Sequence, residues 1–118
     1  MKLGIAGAGL IVETLMQFID EVREVEKVAI CSLPTDRERM EMFSREHDIG
    51  KIYYDFEEIL KDGEVETVYL GVPNFMHYTM GKKALEAGKN VIMEKPFCSS
   101  FAQAQHLADL AYRNDLII

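Results

Sequence analysis

Lys2-Leu3-Gly4-Ile5-Ala6-Gly7-Ala8-Gly9-Leu10-Ile11-Val12 decides the architecture, because it reads as a strand, a glycine turn and the opening of a helix in immediate succession. The strand runs from about Lys2 to Ala6. Gly7 permits the tight turn that follows, and Gly9 lets main chain come close to a bound group. Leu10 and Ile11 then begin a helix whose unpaired N–H groups and dipole favour an anion. This is the context in which such glycines mark a dinucleotide's pyrophosphate site. The third position of the motif holds Val12 in place of a small residue, so the helix is expected to stand slightly further off the strand. A glycine turn without any ligand has the same local sequence, and the rest of the chain must separate the two.

Outward from this stretch, short apolar runs alternate with helix-period segments to the end of the chain, which is the pattern of repeated βαβ units. The first helix presents Val12, Leu15, Met16, Ile19 and Val22 to the sheet. A second strand is expected at Lys27 to Ser32. After the break at Pro34, Thr35 and Glu38 have the spacing of a capping box, starting a helix to about Asp48 with Met40, Phe43 and His47 on one face. Ile52 to Tyr54 forms a short third strand, and Asp55 with Glu58 starts a brief helix ending before Gly63. Val65 to Val72 is the fourth strand. Asn74 can cap the next helix, whose inner stripe is His77, Met80, Gly81, Ala84 and Leu85, with Gly88 as its left-handed C-terminal residue. Asn90 to Met93 is the fifth strand. Ser99 or Ser100 then starts a last helix packing through Phe101, Ala104, Leu107, Ala108 and Ala111. The fold class implied is α/β: a doubly wound parallel sheet of the Rossmann type with helices on both faces. Residues 1–118 form a single dinucleotide-binding domain. Leu116-Ile117-Ile118 reads as the start of a sixth buried strand, so a further domain is expected to be missing from this sequence.

Composition narrows the partners. The 118 residues are 48% apolar, enough for one core. The net charge of −7 offers no footprint for a nucleic acid, which needs clustered Lys and Arg. Cys31 and Cys98 lack metal-ligand spacing and read as small buried apolar residues, so no metal site is expected. The N-terminal apolar run is too short for a signal or membrane segment, and a cytoplasmic location is the default.

Three further segments lie at the carboxyl ends of strands, where a doubly wound sheet opens onto its ligand. Cys31-Ser32-Leu33-Pro34 ends the second strand without a carboxylate for the adenosine ribose. Ser32 suits a hydroxyl or a 2′-phosphate, and Arg37 or Arg39 suits a phosphate unless both are simply solvated. NAD and NADP both stay open, with a lean to NADP. Val72-Pro73-Asn74-Phe75-Met76-His77 follows the fourth strand: Val72, Pro73 and Asn74 face the nucleotide, while His77 is either a site residue or a satisfied core histidine. Glu94-Lys95-Pro96 follows the fifth. Unpaired charge is costly to desolvate at a strand end unless it lines a site, so Lys95 is a candidate to polarise or protonate a carbonyl or hydroxyl, its pKa lowered by burial. Glu94 would pair with Lys95 or bind a ribose. A surface Glu-Lys pair in a proline turn is the plain alternative.

Taken together, the glycine loop, Val72 to His77, and Ala84-Leu85-Glu86-Ala87-Gly88-Lys89-Asn90-Val91 running into Glu94-Lys95-Pro96-Phe97 resemble the Gfo/Idh/MocA family of NAD(P)-dependent oxidoreductases over essentially the whole chain. The resemblance implies a Rossmann domain followed by an open-sheet domain that holds substrate and usually the oligomer interface. It implies hydride transfer to or from sugars, cyclitols or related diols, with Lys95 beside nicotinamide and substrate, Glu94 contacting the cofactor, and Asn74 and His77 flanking it. His77 joins Lys95 as a catalytic candidate on this basis. Val12 and Ser32-Leu33 depart from the family pattern. A nucleotide-sensing regulatory domain without chemistry is the alternative function.

Overall fold

The computed structural model describes residues 1–118. Five strands, β1 (Lys2–Ala6), β2 (Glu26–Cys31), β3 (Lys51–Tyr53), β4 (Thr67–Leu70) and β5 (Asn90–Met93), form one parallel sheet in the order β3-β2-β1-β4-β5. Five helices connect and follow them: α1 (Leu10–Ile19), α2 (Arg37–Glu46), α3 (Phe56–Lys61), α4 (His77–Glu86) and α5 (Phe101–Arg113).

Successive side chains of a strand point to opposite faces, so each strand feeds two cores. Leu3, Ile5, Ile30 and Tyr69 pack with Val12, Met16, Met40 and Phe43 from α1 and α2. Ala6, Ala29, Val68, Leu70 and Val91 pack with Ile59, Leu85 and Leu107 from α3, α4 and α5. The sheet is therefore covered on both sides, and the doubly wound architecture expected from the alternation of elements is present.

The order also places the site. From β1 the chain moves outward through β2 and β3, then crosses back to β4 and β5, and the crevice of such a sheet opens where the direction reverses. Ala6 is paired with Cys31 on one side and Leu70 on the other, and Leu70 with Met93. Gly7, Ser32, Gly71 and Glu94 consequently leave the sheet level with one another on a single rim.

Several local expectations are confirmed at the level of individual bonds. The Asp55 carboxylate accepts from the Glu57 N–H (3.0 Å), and the Ser100 hydroxyl oxygen accepts from the Gln103 N–H (3.2 Å). Gly88 has φ +75°, and the whole inner stripe of α4 is buried. β5 has the expected bounds.

Others need correction. No capping box forms at Thr35 and Glu38, nor does Asn74 cap α4. Pro34 and Pro73 each lead into a single 3-10 turn, Pro34–Asp36 and Asn74–Met76, and the α-helix begins only afterwards, without a side-chain cap. Helix α1 stops at Ile19, leaving Val22 exposed, and α2 stops at Glu46 because His47 and then Asp48, at φ +53°, leave the helical region. Phe101 and Ala108 are exposed; α5 packs through Leu107 and Ala111. Cys31 is buried, which pushes its thiol up to about 12, whereas Cys98 is only half-buried. Leu116 to Ile118 form no strand, but Ile117 lies against the free edge of β5, its carbonyl accepting from the Val91 N–H (2.9 Å) and its own N–H donating to the Asn90 side chain (2.9 Å).

Candidate functional site: a crevice at the carboxyl rim of the sheet

The glycine turn is fixed by its neighbours on both sides. Gly7 has φ +112°, a left-handed conformation that disfavours any side chain, and its N–H donates to the Cys31 carbonyl (2.8 Å). A Cβ on Gly7 would sit 2.2 Å from the Gly71 carbonyl oxygen, so the position excludes even a methyl group. Gly9 differs. A Cβ there would meet nothing within 4 Å, which leaves the space above the turn open.

No side chain caps α1, although Asp55 and Ser100 cap α3 and α5. The first N–H groups of a helix have no partner within it. At α1 the Val12 N–H reaches the Gly9 carbonyl (3.1 Å), which leaves those of Leu10 and Ile11, and both residues at this first turn are exposed. An anion such as a pyrophosphate fits this arrangement chemically, since the main chain supplies donors and nothing fills the approach.

Val12 is fully buried, and the structure shows how its bulk is accommodated. A Cβ on Gly71, the residue after β4, would lie 2.6 Å from Val12 Cγ2, and one on Gly7 would lie 3.4 Å from the same atom. The space for the isopropyl group is thus made by two missing side chains across the sheet.

At the end of β2 the sequence offered no carboxylate, yet one is present. The Pro34–Asp36 turn carries Asp36 back to Ser32, whose hydroxyl donates to Asp36 Oδ2 (2.5 Å). The available signal was Ser-x-Pro-x-Asp: proline sets one tight turn, and the residue four positions on returns to the first. The two arginines read as phosphate candidates are both engaged. Arg39 is ion-paired with Glu13 on the first turn of α1, and Arg37 lies 5.1 Å from the centroid of the Tyr54 ring.

The other end of the crevice is built by the segments after β4 and β5. His77, at the start of α4, is fully buried between them. Its Nδ1 lies 2.9 Å from the Pro96 carbonyl oxygen and its Nε2 3.1 Å from that of Val72. Both ring nitrogens face main chain, which leaves neither for a substrate. Pro73, Asn74 and Phe75 beside it are exposed.

Glu94 is half-buried and does not pair with Lys95. Its carboxylate accepts a 2.8 Å hydrogen bond from the Tyr69 hydroxyl, and burial, reinforced by that carboxylate, pushes the phenol of Tyr69 upward. Tyr69 escaped the sequence reading; its only signal was a phenol placed between the apolar residues Val68 and Leu70 of β4. Lys95 is exposed and bonded to no protein group, so the buried ammonium expected from the sequence is absent. Its side chain starts from the same rim as the glycine turn.

The family is now decided by comparison, since the sequence model of an oxidoreductase family with an NAD-binding Rossmann fold matches residues 1–118. The chain belongs to the Gfo/Idh/MocA oxidoreductase family. This Gfo/Idh/MocA domain is 28% identical over 117 residues to the trans-1,2-dihydrobenzene-1,2-diol dehydrogenase of Xenopus tropicalis, covering 99% of this chain and 36% of that protein. It is 36% identical over 110 residues to an uncharacterized oxidoreductase of Rhizobium meliloti, covering 92% of this chain and 32% of the relative. Among solved structures, a 3-ketoreductase from Actinomadura kijaniata in complex with TDP-benzene and NADP superposes with a TM-score of 0.90 at 26% identity, over 100% of this chain and 37% of that one. The Gfo/Idh/MocA domain therefore spans about a third of the length of these relatives. It is the NAD(P)-binding Rossmann domain of an oxidoreductase, and no helix in it is long and apolar enough to cross a membrane.

Proposed function

We propose that this domain binds NAD or NADP across the β1/β4 crevice and, within a longer protein, presents Lys95 to a sugar, cyclitol or related diol. The nicotinamide, when bound, takes up or gives the hydride. The rest falls to the chain's own residues. Gly7 and Gly9 with the uncapped N–H groups at Leu10 and Ile11 hold the pyrophosphate. Ser32, its hydroxyl turned to Asp36, lies at the adenosine-ribose end of the crevice, and Val72, Pro73 and Asn74 border the dinucleotide. Glu94, oriented by Tyr69, offers its free oxygen to the ribose next to the nicotinamide. The Lys95 ammonium donates a hydrogen bond to the reacting oxygen and holds the proton that oxygen exchanges. His77 is a positioning residue in this reading, tying the segment after β4 to the one carrying Lys95. Substrate contacts and a homo-oligomer interface are assigned to parts outside these residues, and the location to the cytoplasm.

The observation supporting this most is the shared rim: an open, uncapped glycine turn after β1 and an ammonium without protein partners after β5, at the same end of one parallel sheet with only β4 between them. Calorimetric titration of the 118-residue chain should show binding of at least one coenzyme, and no binding of either refutes the proposal. In the whole protein, Lys95→Ala should leave coenzyme affinity within about twofold and lower turnover by about a hundredfold or more, the range of general acid–base assistance. Unchanged function would instead support the nucleotide-sensing role.

A further inference from the structure

Resting on the coenzyme binding proposed above, we infer that Tyr69 is a positioning residue that fixes the Glu94 carboxylate at the nicotinamide end of the crevice, and that this held negative charge biases the domain toward the oxidised coenzyme. The two redox forms differ by one unit of charge at the nicotinamide ring, which is a cation when oxidised and neutral when reduced. Contacts with ribose, pyrophosphate and adenosine are common to both. A charge held near the ring is what separates them.

The sheet order assigns Glu94 its end of the crevice. With a pyrophosphate at the turn after β1, the adenosine lies toward the end of β2, and the other nucleoside extends the opposite way, over β4 and β5. Ala6 is level with Leu70 and Leu70 with Met93, so Glu94 starts two strand spacings, roughly 9–10 Å, from Gly7. Glu94 is half-buried, and its Oε1 accepts from the Tyr69 hydroxyl (2.8 Å).

Tyr69 is well placed to hold it. The residue is buried in the core beneath α1, and its ring and Val12 both border Gly71 at the base of the glycine turn. Packing calls for the ring but not for its hydroxyl, since phenylalanine fills the same space. The hydroxyl's one protein partner is Glu94. Burial first, and then the hydrogen bond to Glu94, pushes the phenol up, so it keeps its proton and stays a donor around neutral pH. Lys95, next in sequence, is exposed and not paired with Glu94, so its charge acts through solvent. Whatever Lys95 does to the affinity for a cationic ring is common to all the variants below, and a change of ratio between them isolates the Tyr69–Glu94 pair.

The test is calorimetric titration of the 118-residue chain, Glu94→Gln, Tyr69→Phe and the double variant with the oxidised and reduced forms of NAD and of NADP, thermal melts confirming that each folds. Glu94→Gln should shift the ratio of affinities toward the reduced form by about threefold to tenfold, the effect of one charge a few ångströms away at an effective dielectric between protein surface and water. Tyr69→Phe should produce part of that shift, about twofold or more, because the unheld carboxylate turns to solvent. In the double variant it should add nothing to Glu94→Gln. A merely structural Tyr69 would instead weaken both forms alike and leave the ratio untouched. An unchanged ratio in Glu94→Gln, a shift toward the oxidised form, or an equal effect of Tyr69→Phe with and without the carboxylate overturns the inference and leaves coenzyme binding intact. Glu94→Asp, which keeps the charge but draws it back from the hydroxyl, takes the place of Tyr69→Phe if that variant does not fold. Failure of every coenzyme form to bind the parent chain overturns this inference and the proposed function together.

Discussion

Replacing Gly71 with alanine adds one methyl group at the point where helix α1, strand β4 and the glycine turn meet. No positive φ is involved at Gly71, so the effect is one of packing alone. The new Cβ would lie 2.6 Å from Val12 Cγ2, 2.8 Å from Tyr69 Cε1 and 3.3 Å from Ile11 Cγ2. Carbon atoms pack at about 3.5–4.0 Å, so the overlap with Val12 and Tyr69 approaches 1 Å. Val12 is fully buried and β-branched, with one favoured rotamer in a helix, and Tyr69 is anchored by Glu94. Neither moves aside freely. Overpacking of this kind costs about 1–3 kcal/mol, offset by about 0.4–1 kcal/mol from the less flexible unfolded chain, for a net loss near 1–2 kcal/mol. Val12→Ala alone removes two buried methyl groups and should cost about 2 kcal/mol. In the double variant the alanine methyl enters space vacated by valine, so Gly71→Ala should cost about 1 kcal/mol less there than in the parent. Urea unfolding followed by far-UV circular dichroism measures all four proteins. Additivity within about 0.5 kcal/mol would refute the account of Val12 and Gly71 as complementary. The same cycle read by coenzyme titration should show Gly71→Ala weakening affinity and the double variant recovering part of it.

Two further outcomes follow from buried and bridging polar groups. His77→Leu keeps roughly the volume of the ring but removes the donor shared between the Val72 and Pro96 carbonyls, so it should cost about 1–3 kcal/mol and speed amide exchange at Glu94 to Cys98; unchanged exchange there would show that His77 does not hold that segment. Asp20 is kept below the ordinary carboxylate range first by the hydrogen bond from Lys27 and then by that from His47. Its ionised form therefore stabilises the fold above about pH 4, and that contribution is lost as pH falls further. Asp20→Asn should be less stable than the parent at neutral pH, with the gap in urea midpoints closing as the solution is acidified below about pH 4; a gap of constant size down to about pH 2 would rule out this origin.

How much of this was legible in the sequence depended on whether the cause lay within a few residues. The parallel sheet follows from the alternation of apolar runs and helical stripes, and Asn90 to Met93 matches at both ends because Gly88 and the charge at Glu94 bound it. Asp55 and Ser100 are caps in fact because nothing competes for them. Thr35 and Asn74 fail for one shared reason. Each follows a proline that starts a 3-10 turn, and the α-helix begins only after that turn is complete. Capping motifs do not encode this delay. The contacts that shape the crevice join residues far apart: Tyr69 reaches Glu94, just past the end of the next strand, and Val12 fits against Gly71. Both depend on strand register, which no local pattern specifies.

The division among rim residues has a physical basis that bears on His77. A group that serves a ligand must keep hydrogen-bonding capacity unspent, and only contact with solvent makes that tolerable in the absence of the ligand. Gly9, the first N–H groups of α1 and the Lys95 ammonium meet this condition, being open and without protein partners. His77, Tyr69 and Ser32 do not. Each is at least partly withdrawn from solvent and already engaged, His77 between two carbonyls, Tyr69 with Glu94 and Ser32 with Asp36. Their bonds run from one rim segment to another or back along the same turn, so they set where the open groups stand. That is why the sequence, which reveals residue type and rim position but not whether a bond is already made, placed His77 beside Lys95, whereas in the fold the ring nitrogens of His77 are turned to main chain and the Lys95 ammonium is open.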